Sequence, residues 1–425
     1  MTYDEALDFL NSTHRFGSRL GLERIRIFME RLGNPQDKLK FVHIAGTNGK
    51  GSTSAFISSI LTSSGYRTGC FISPYIQRFT ERISVSGVEI SKEDVVRHTM
   101  AIRDEIQAMQ SEGCEHPTAF EIYTAMCFLH FAEQSCDIVV LETGLGGALD
   151  ATNIISNKEV AVITNIGYDH MEQLGDTLEK IAGQKAGIIT CQTEVVLYPM
   201  EQESVLDVFR KRAQKYESRV HEVSAGDICI TGSFLDPSFD FCELRELRIN
   251  LLGEHQYKNA ATSVSAVLAL RSKGWNVSDE AIRMGLYNAK WPGRMEIIRK
   301  KKDLSPMVIV DGAHNLQGVE AMVHGLKSMG AGDGVTFLVG VMVDKDYENM
   351  IKTVAPLAKR FITVTPDVSG RALPSEELRS VTQAYAESIA FDDVRQALDY
   401  AVSNEELVCC FGSLYLIGEV KNVIA

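Results

Sequence analysis

A glycine-rich segment with a single lysine has the composition of a phosphate-binding loop. The apolar residues that precede it, from Phe41, are typical of a short buried strand, and residues 52–63 are typical of a helix. Glycines let successive backbone N–H groups point at one phosphate, the helix N-terminus adds a positive partial charge, and Lys50 adds a full one. The hydroxyl of Ser52, just after the lysine, is suited to holding Mg²⁺. The segment consists of Gly46, Thr47, Asn48, Gly49, Lys50, Gly51 and Ser52.

This loop departs from the most common phosphate-binding pattern, G-x-x-x-x-G-K-[ST]. Ile44 stands where that pattern has its first glycine, and Gly51 separates the lysine from the hydroxyl. A flexible turn without a ligand is therefore the alternative interpretation. The order of strand, glycine-rich turn and helix favours phosphate binding.

Polar side chains that can bind a metal occur at the ends of three other predicted strands. Ser73 and Glu142 end two of them, and His170 follows the strand 160–164. Ligands of α/β proteins bind beyond the carboxyl ends of parallel strands, and an acid placed like Glu142 holds nucleotide Mg²⁺ in phosphate-loop enzymes. At Ser73 the alternative is a plain Ser-Pro turn. At His170 it is a structural histidine, because imidazole is acceptable to Mg²⁺ but not preferred.

A two-part α/β fold is predicted to position these groups. Residues 1–292 would form a phosphate-loop domain with a mostly parallel sheet, because strand and helix patterns alternate through them. Pro292 and Gly293 end the preceding helix and supply a short linker. Residues 296–425 would form a smaller Rossmann-like domain. Its expected strands are 307–310, 335–340, 361–365 and 406–411, with only helices between the third and the fourth.

Two long helices are expected near 91–110 and 118–134. Thr118 is the candidate N-cap of the second helix, and Glu121 completes a capping box. That structural role is sufficient to explain both residues.

Composition limits the class of protein. The 425 residues are too many for one ordinary core, and 45% of them are hydrophobic and 23% charged, as in globular proteins. The net charge of −13 argues against nucleic acid or an anionic membrane as the main partner. It also means that an anionic substrate must meet a local basic site.

The chain is expected to be soluble and cytoplasmic. Its nine cysteines include no C-x-x-C pair, which indicates neither a zinc site nor a disulfide framework. The N-terminus has Asp4 and Glu5 and lacks the apolar core of a signal peptide. No apolar run approaches the ~20 residues of a membrane-spanning helix.

The phosphate loop resembles that of the Mur ligase superfamily, in the version found in folylpolyglutamate synthases and dihydrofolate synthases. Further motifs of this family occur in the family's order from about residue 20 to residue 416. The resemblance implies an ATP-dependent ligase with its active site in the cleft between the two domains. Among the matching segments are 142–153, 165–170, 184–188, 253–260, 291–294, 311–315 and 412–415.

The resemblance implies roles for individual residues. The implied catalytic residues are Lys50, His170, Lys185 and His314; the ATP contacts are Thr47, Asn48, Gly49, Lys50, Gly51, Ser52, Asn259, Arg294 and Asp311; the metal ligands are Ser73, Glu142 and His170; the pterin or folate contacts are Leu20, Thr118, Phe120, Glu121, Leu149, Asp150 and Ala151; the glutamate contacts are His314 and Ser413.

For Lys185 the resemblance implies carbamylation. A carbamate turns the cation into a carboxylate-like metal ligand, and its formation requires a neutral amine with a lowered pKa. A solvated or ion-paired helix lysine is the simpler interpretation. Gln184 and Ala148 depart from the family, which has glutamate and arginine at these positions.

The predicted activity is the ATP-dependent addition of L-glutamate to folates and to dihydropteroate through an acyl phosphate. Segment 149–153 resembles that of enzymes that accept dihydropteroate, with Asp150 and Thr152 suited to bonding a pterin and Phe120 suited to stacking on it. The implied cofactors are ATP and one or two Mg²⁺ ions, with K⁺ as a further candidate, and a monomer is expected. The alternatives are a monofunctional folylpolyglutamate synthase, a phosphate-loop kinase, and a nucleotide-switched binding protein without chemistry.

Overall fold

Parallel strands form the centre of the larger of two parts of the molecule. The structure is a computed structural model, and it describes residues 1–17, 19–300, 306–368 and 370–424. The strands of its main sheet are β1 (Phe41–Ala45), β2 (Thr68–Phe71), β3 (Ile83–Val85), β4 (Val88–Glu89), β5 (Ile138–Glu142), β6 (Lys158–Ile163), β7 (Glu194–Leu197) and β8 (Val220–Glu222). They are ordered β4-β3-β2-β5-β1-β6-β7-β8. The pairs from β2 to β8 are parallel, and β3 and β4 extend the sheet antiparallel.

Helices cover both faces of this sheet. They are α1 (Tyr3–Ser12), α2 (Glu23–Arg31), α3 (Lys50–Ser63), α4 (Lys92–Ser111), α5 (Ala119–Glu133), α6 (Met171–Leu174), α7 (Leu178–Lys185), α8 (Glu203–Lys215), α9 (Glu254–Ser272) and α10 (Asp279–Asn288). Every residue of β1 and β5 is buried, as expected for central parallel strands covered on both faces. Helix α3 packs against α9 and α10 in one core, and α4 packs against α5 in another.

A small antiparallel sheet follows, with the order β11-β10-β9. Its strands are β9 (Ile228–Ile230), β10 (Ser238–Phe241) and β11 (Leu244–Arg248).

The C-terminal part is built on a second sheet. Its strands are β12 (Glu296–Arg299), β13 (Met307–Asp311), β14 (Val335–Val339), β15 (Ala358–Val364), β16 (Glu387–Phe391) and β17 (Leu407–Phe411), and its helices are α11 (Leu316–Ser328), α12 (Tyr347–Val354), α13 (Ser375–Thr382), α14 (Val394–Asn404) and α15 (Leu414–Ile424). The strand order is β12-β13-β17-β14-β15-β16, with β12 antiparallel and the other pairs parallel.

The predicted fold class is confirmed: the structure has a large, mostly parallel sheet and a smaller Rossmann-like part. The prediction of helices alone between the strands near 361 and 406 was wrong, because β16 lies there. Its five residues are partly or fully exposed, so this edge strand lacks the continuous apolar run of a buried one. Residues 289–295 join α10 to β12, and the division into units 1–292 and 296–425 stays a proposal.

The contact of α10 with α3 leaves no room for a side chain at Gly285. A Cβ there would lie 2.3 Å from the Cα atom of Ile60. A backbone atom cannot relieve this clash by a change of side-chain rotamer. We expect Gly285→Ala to lower the free energy of unfolding by about 1–3 kcal/mol, because the helices must move apart. Urea denaturation followed by circular dichroism measures this change.

Gly183→Ala, within α7, is the matched control, because a Cβ there would meet nothing within 4 Å. This substitution should raise the free energy of unfolding by about 0.4–1 kcal/mol. Equal stability of Gly285→Ala and the wild type would contradict the close packing of α10 on α3.

Candidate active site

A cleft between the two parts collects the loops after β1, β2, β5 and β6 of the main sheet and those after β13 and β17 of the smaller one. The smaller part contributes His314 and Leu414, while the linker contributes Trp291 and Arg294. The cleft brings together most of the residues that the sequence predicted for ATP and metal. They are Gly46, Thr47, Asn48, Gly49, Lys50, Gly51, Ser52, Ser73, Glu142, His170, Lys185, Arg294 and His314.

The phosphate loop is tightly enclosed by its neighbours. Gly49 precedes α3 with a φ of 90°, in the left-handed region that favours glycine. A Cβ on Gly51 would lie 2.0 Å from the ring of Trp291, so the linker covers the loop directly. Lys50 Nζ donates hydrogen bonds to the carbonyl oxygens of Gly46 at 3.1 Å and Thr47 at 3.2 Å. The only full positive charge of the loop is therefore folded over its own backbone.

Glu142 is a buried carboxylate with unused bonding capacity. Its Oε1 lies 4.0 Å from Lys50 Nζ, and its Oε2 is buried with no hydrogen-bond partner among the described residues. Burial raises the pKa of this carboxyl to about 7, although the Lys50 charge and a hydrogen bond from the Ser73 N–H act in the opposite direction. An orphaned, buried carboxylate oxygen beside a phosphate loop fits a cation.

The other two predicted metal ligands line the same cleft. The hydroxyl of Ser73 accepts a hydrogen bond from Arg82 Nη1 at 3.0 Å. His170 is half-exposed, with Nε2 3.9 Å from Asp169 Oδ1, and Lys345 Nζ lies 3.2 Å from the same oxygen. Within the described ranges no three His, Cys, Asp or Glu side chains form a ready metal cluster. A metal site here would therefore combine Glu142 with the serine hydroxyl, one imidazole and the ligand's own oxygens.

Lys185, at the end of α7, has the environment that carbamylation requires. It is 4% exposed, and its Nζ donates to the Gly46 carbonyl oxygen at 2.7 Å. Burial and, to a smaller extent, the nearby charge of Lys50 lower the pKa of this amine to about 7. A substantial fraction of the amine is neutral near pH 7.

The C-terminal part presents a neutral histidine to the cleft. Nδ1–H of His314 donates to the Gly312 carbonyl oxygen at 2.7 Å, so Nε2 is the unprotonated nitrogen. Burial and the charge of Arg294 lower the pKa of His314 to about 4. Ser413 is buried next to this region, and its hydroxyl accepts from the Tyr415 N–H at the start of α15.

A second cavity adjoins the phosphate loop and contains the remaining predicted ATP contacts. Asn259 on α9 is 2% exposed and donates to Gln256 Oε1 at 3.0 Å. Both carboxylate oxygens of Asp311 accept backbone N–H groups, from Met295 and Ala313, each at 2.8 Å. Asp311 thereby ties the linker to the loop after β13. The cavity is lined by Asn48, Gly49, Ser52, Asn165, Tyr198, His255, Asn259, Arg294, Asp311, Gln317, Gly318 and Ala321.

The predicted pterin contacts at the start of α5 hold that helix in place. Thr118 and Glu121 form the predicted capping box, and Glu121 Oε2 also accepts from Arg24 Nε at 2.8 Å. The ring of Phe120 lies against the chain at Gly144, where a Cβ would be 2.5 Å away. Phe120 thus reaches the loop that follows Glu142.

Both carboxylate oxygens of Asp150 accept hydrogen bonds from neighbouring residues of the same turn. Its Oδ2 accepts the Leu145 N–H at 2.7 Å, and its Oδ1 accepts both the N–H and the hydroxyl of Thr152 at 3.0 and 2.5 Å. The Thr152 hydroxyl in turn accepts from Nε2–H of buried His43 at 2.8 Å. These bonds favour a role in shaping the glycine-rich turn, and a pterin contact of Asp150 stays a prediction.

Leu20 and Leu149 are exposed by 40% and 44% and lie close together, since Gly21 N–H donates to the Leu149 carbonyl oxygen at 3.4 Å. Leu20 also lines a groove with Arg24 and Glu115. Ala151 is buried.

Several cleft residues were missed by sequence reasoning. Asp169 stands beside His170 in a recognised segment, and a carboxylate there was a signal that could have been used. Lys345 and Gln317 come from the C-terminal part. Gln317 Oε1 accepts from Asn48 Nδ2 at 2.9 Å. Nothing in the local sequence indicates that Gln317 contacts the phosphate loop or that Lys345 pairs with Asp169.

Comparisons with known proteins agree with this geometry. The Mur ligase middle domain matches residues 44–267, and the Mur ligase glutamate ligase domain matches residues 293–414. A Bacillus subtilis dihydrofolate synthase/folylpolyglutamate synthase is 37% identical over 99% of this chain and 98% of its own length. The Escherichia coli protein of the same name is 33% identical over 98% and 94%. The chain belongs to the folylpolyglutamate synthase/dihydrofolate synthase family of Mur ligases.

Solved structures of this family share the fold of the ligase. Folylpolyglutamate synthase from Thermotoga maritima has a TM-score of 0.86 at 33% identity, covering 99% of this chain and 96% of that one. An Escherichia coli relative in complex with DHPP and ADP has a TM-score of 0.85 at 31% identity, covering 99% and 97%. As a member, the chain is an ATP-dependent amino-acid ligase of folate metabolism. Across the described part of the ligase, no helix has the length and apolar character needed to cross a membrane.

We expect Lys50→Ala to reduce ATP-dependent ligation about 10²–10³-fold, because the loop would lose its only full charge toward phosphate. The thermal midpoint should change little, because the hydrogen bonds of Lys50 to described residues go to carbonyl oxygens of its own loop and Glu142 Oε1 is 4.0 Å away. Coupled phosphate-release kinetics and differential scanning calorimetry measure the two quantities. Lys180→Ala, which removes an exposed lysine of α7, is the control. Wild-type turnover in Lys50→Ala would contradict the phosphate-loop assignment.

Proposed function

We propose that this ligase adds L-glutamate both to folates and to dihydropteroate, by way of an acyl phosphate. The observation that supports it is a single cleft that holds Lys50 and Glu142 from the main sheet opposite His314 from the smaller part. An acyl phosphate must be formed and consumed without meeting water, and a cleft between two parts that can close meets this need.

In the first step, the carboxylate of the acceptor attacks the γ-phosphorus of ATP, and ADP leaves. The N–H groups of the phosphate loop and the charges of Lys50 and Arg294 would neutralise the transferred phosphoryl group. Asn259, in the adjoining cavity, would contact the nucleotide beyond the phosphates.

Glu142, Ser73 and His170 would hold Mg²⁺, which supplies charge neutralisation on the phosphate oxygens when bound. Of these three, Glu142 fits most clearly, since its Oε2 is buried and unpaired. The hydroxyl of Ser73 and the imidazole of His170 lie in the same cleft.

In the second step, the neutral amino group of glutamate attacks the acyl carbon and the C–N bond forms. Inorganic phosphate leaves with the C–O bond electrons and takes up the proton that the amine loses. The unprotonated Nε2 of His314 is available to accept a hydrogen bond from that amine. Buried Ser413 follows Gly412, whose N–H donates to the Ala313 carbonyl oxygen at 3.0 Å, and Ser413 would help to orient the glutamate.

The use of dihydropteroate rests on segment 149–153 and on the names of the Bacillus subtilis and Escherichia coli relatives, which include both activities. The deciding experiment incubates ATP and glutamate with dihydropteroate, tetrahydrofolate or methylene-tetrahydrofolate and identifies products by mass. Addition of one glutamate to dihydropteroate and to a reduced folate is expected. Product from the reduced folate alone would leave a monofunctional folylpolyglutamate synthase, and phosphate transfer without demand for glutamate would indicate a kinase.

The proposal includes carbamylation of Lys185, and its pH dependence follows from the lowered pKa. Only the neutral amine reacts with CO₂, so the carbamate fraction should rise as pH increases through the pKa of about 7. After incubation with ¹³C-bicarbonate, the carbamate carbon signal in NMR should grow between about pH 6 and about pH 8. Lys185→Arg should abolish this signal.

Lys158 provides a matched control. It is also buried with a pKa lowered to about 7, but its Nζ donates to Asn153 Oδ1 at 2.6 Å and to the Ile188 carbonyl oxygen at 3.0 Å, outside the cleft lining. Lys158→Met should retain the carbamate signal. A signal that persists in Lys185→Arg, or none in the wild type, would contradict the assignment.

A further inference from the structure

Arg82 is a buried cation next to the cleft. It ends the short helical turn Phe79–Arg82 that precedes β3, and 8% of the residue is exposed. In the parts of the chain that the structure describes, no carboxylate lies within ion-pair distance of its guanidinium. A buried charge without a counter-ion is costly, so its retention requires an explanation.

Two tyrosine rings hold the guanidinium in place. Its Cζ atom lies 4.8 Å from the ring centroid of Tyr75 and 4.8 Å from that of Tyr123. Such cation–π contacts attract the charge and fix the position of the guanidinium, but its N–H groups still need hydrogen-bond acceptors. Nη1 donates to the hydroxyl of Ser73 at 3.0 Å.

The remaining edge of the guanidinium is not hydrogen-bonded by any described residue. Among the described residues, Nε is buried with no hydrogen-bond partner, and the side chain makes a single hydrogen bond, through Nη1. Nε and Nη2 point their hydrogens in the same direction, and this edge matches the two oxygens of a carboxylate. An unsatisfied buried donor costs as much as a lost hydrogen bond, so the free edge indicates a missing acceptor.

The surroundings place Arg82 beside the cleft. Arg82 bonds to Ser73, whose N–H donates to Glu142, and the charge of Arg82 acts on Glu142. The phenol of Tyr415, on the first turn of α15 in the C-terminal part, also lies close enough to interact with Arg82. Arg82 therefore lies close to where the two parts of the ligase meet.

We propose that the Nε–Nη2 edge of Arg82 receives a substrate carboxylate as a bidentate ion pair. The inference rests on the proposed function, in which both the folate-type acceptor and glutamate carry carboxylates. In that function, the phosphate loop and Lys50 bind the phosphates of the nucleotide. The ligand of Arg82 is therefore a carboxylate of the acceptor or of glutamate.

Two substitutions separate charge from geometry. Arg82→Lys keeps the charge but loses the planar fork, and Arg82→Met loses both. Each should raise the KM of the substrate that Arg82 binds by about 10- to 100-fold, while the KM of ATP stays unchanged. Arg78→Met is the matched control: this arginine stands just before the same turn, is exposed, and pairs with Glu89. Its KM values should equal those of the wild type.

The half-reaction distinguishes the two carboxylates. With ATP, acceptor and hydroxylamine but no glutamate, the acyl phosphate is trapped as a hydroxamate and phosphate is released. If Arg82 holds the acceptor carboxylate, hydroxamate formation falls in both variants. If it holds glutamate, hydroxamate forms at the wild-type rate and only the KM of glutamate rises.

Unchanged KM values for both carboxylate substrates in Arg82→Lys and Arg82→Met would overturn the proposal. If either variant fails to fold, phenylglyoxal modification of the native wild type followed by peptide mapping decides. The carboxylate substrate should slow modification of Arg82 but not of Arg78, and equal rates with and without substrate would overturn the proposal. A wild type that makes no glutamate product at all would instead refute the proposed function.

Discussion

The carbonyl oxygen of Gly46 accepts hydrogen bonds from two lysines, and the rest of the cleft depends on this shared acceptor. Lys50 Nζ lies 3.1 Å from it and Lys185 Nζ 2.7 Å. Two ammonium groups on one oxygen repel each other, and burial adds to the cost of charging Lys185. The nearby carboxylate, Glu142, lies 4.0 Å from Lys50 and is itself buried and partly unbonded. Such a site is stabilised by an added anion together with an added cation, which suits a metal-bound phosphate.

The main sheet creates this arrangement. Gly46 follows β1, and a Cβ on it would lie 1.8 Å from the hydroxyl oxygen of Thr164, which follows the neighbouring strand β6. The close approach brings the segments after β6, with His170 and Lys185, beside the phosphate loop. On the other side of β1, β5 delivers Glu142 to the same edge. Parallel strands thus place groups distant in sequence around one loop.

The site is complete only where the C-terminal part meets the main sheet. Trp291 covers Gly51, Gln317 accepts a hydrogen bond from Asn48, and Lys345 pairs with Asp169. These contacts connect the phosphate loop and the segment of His170 to elements more than a hundred residues later in the chain. A ligase that joins two substrates through a reactive acyl phosphate needs such a junction, because each part can present one substrate to the other with water excluded.

Local sequence determined the phosphate loop, the capping box of α5, the polar ends of the central strands and the α/β class. Each depends on residues within a few positions of one another, and so is visible in spacing and periodicity. The edge strand β16 was missed because its partly exposed residues give a weak local signal. Only the tertiary structure decided which groups lack partners among the described residues: Asp150 is bonded by its own turn, whereas Glu142 Oε2 and Arg82 Nε are buried without a hydrogen bond. The lowered pKa of Lys185 likewise arises from burial and from the charge of Lys50, which stands in a distant segment of the sequence. Partners and burial depend on contacts between distant segments, which no local pattern contains.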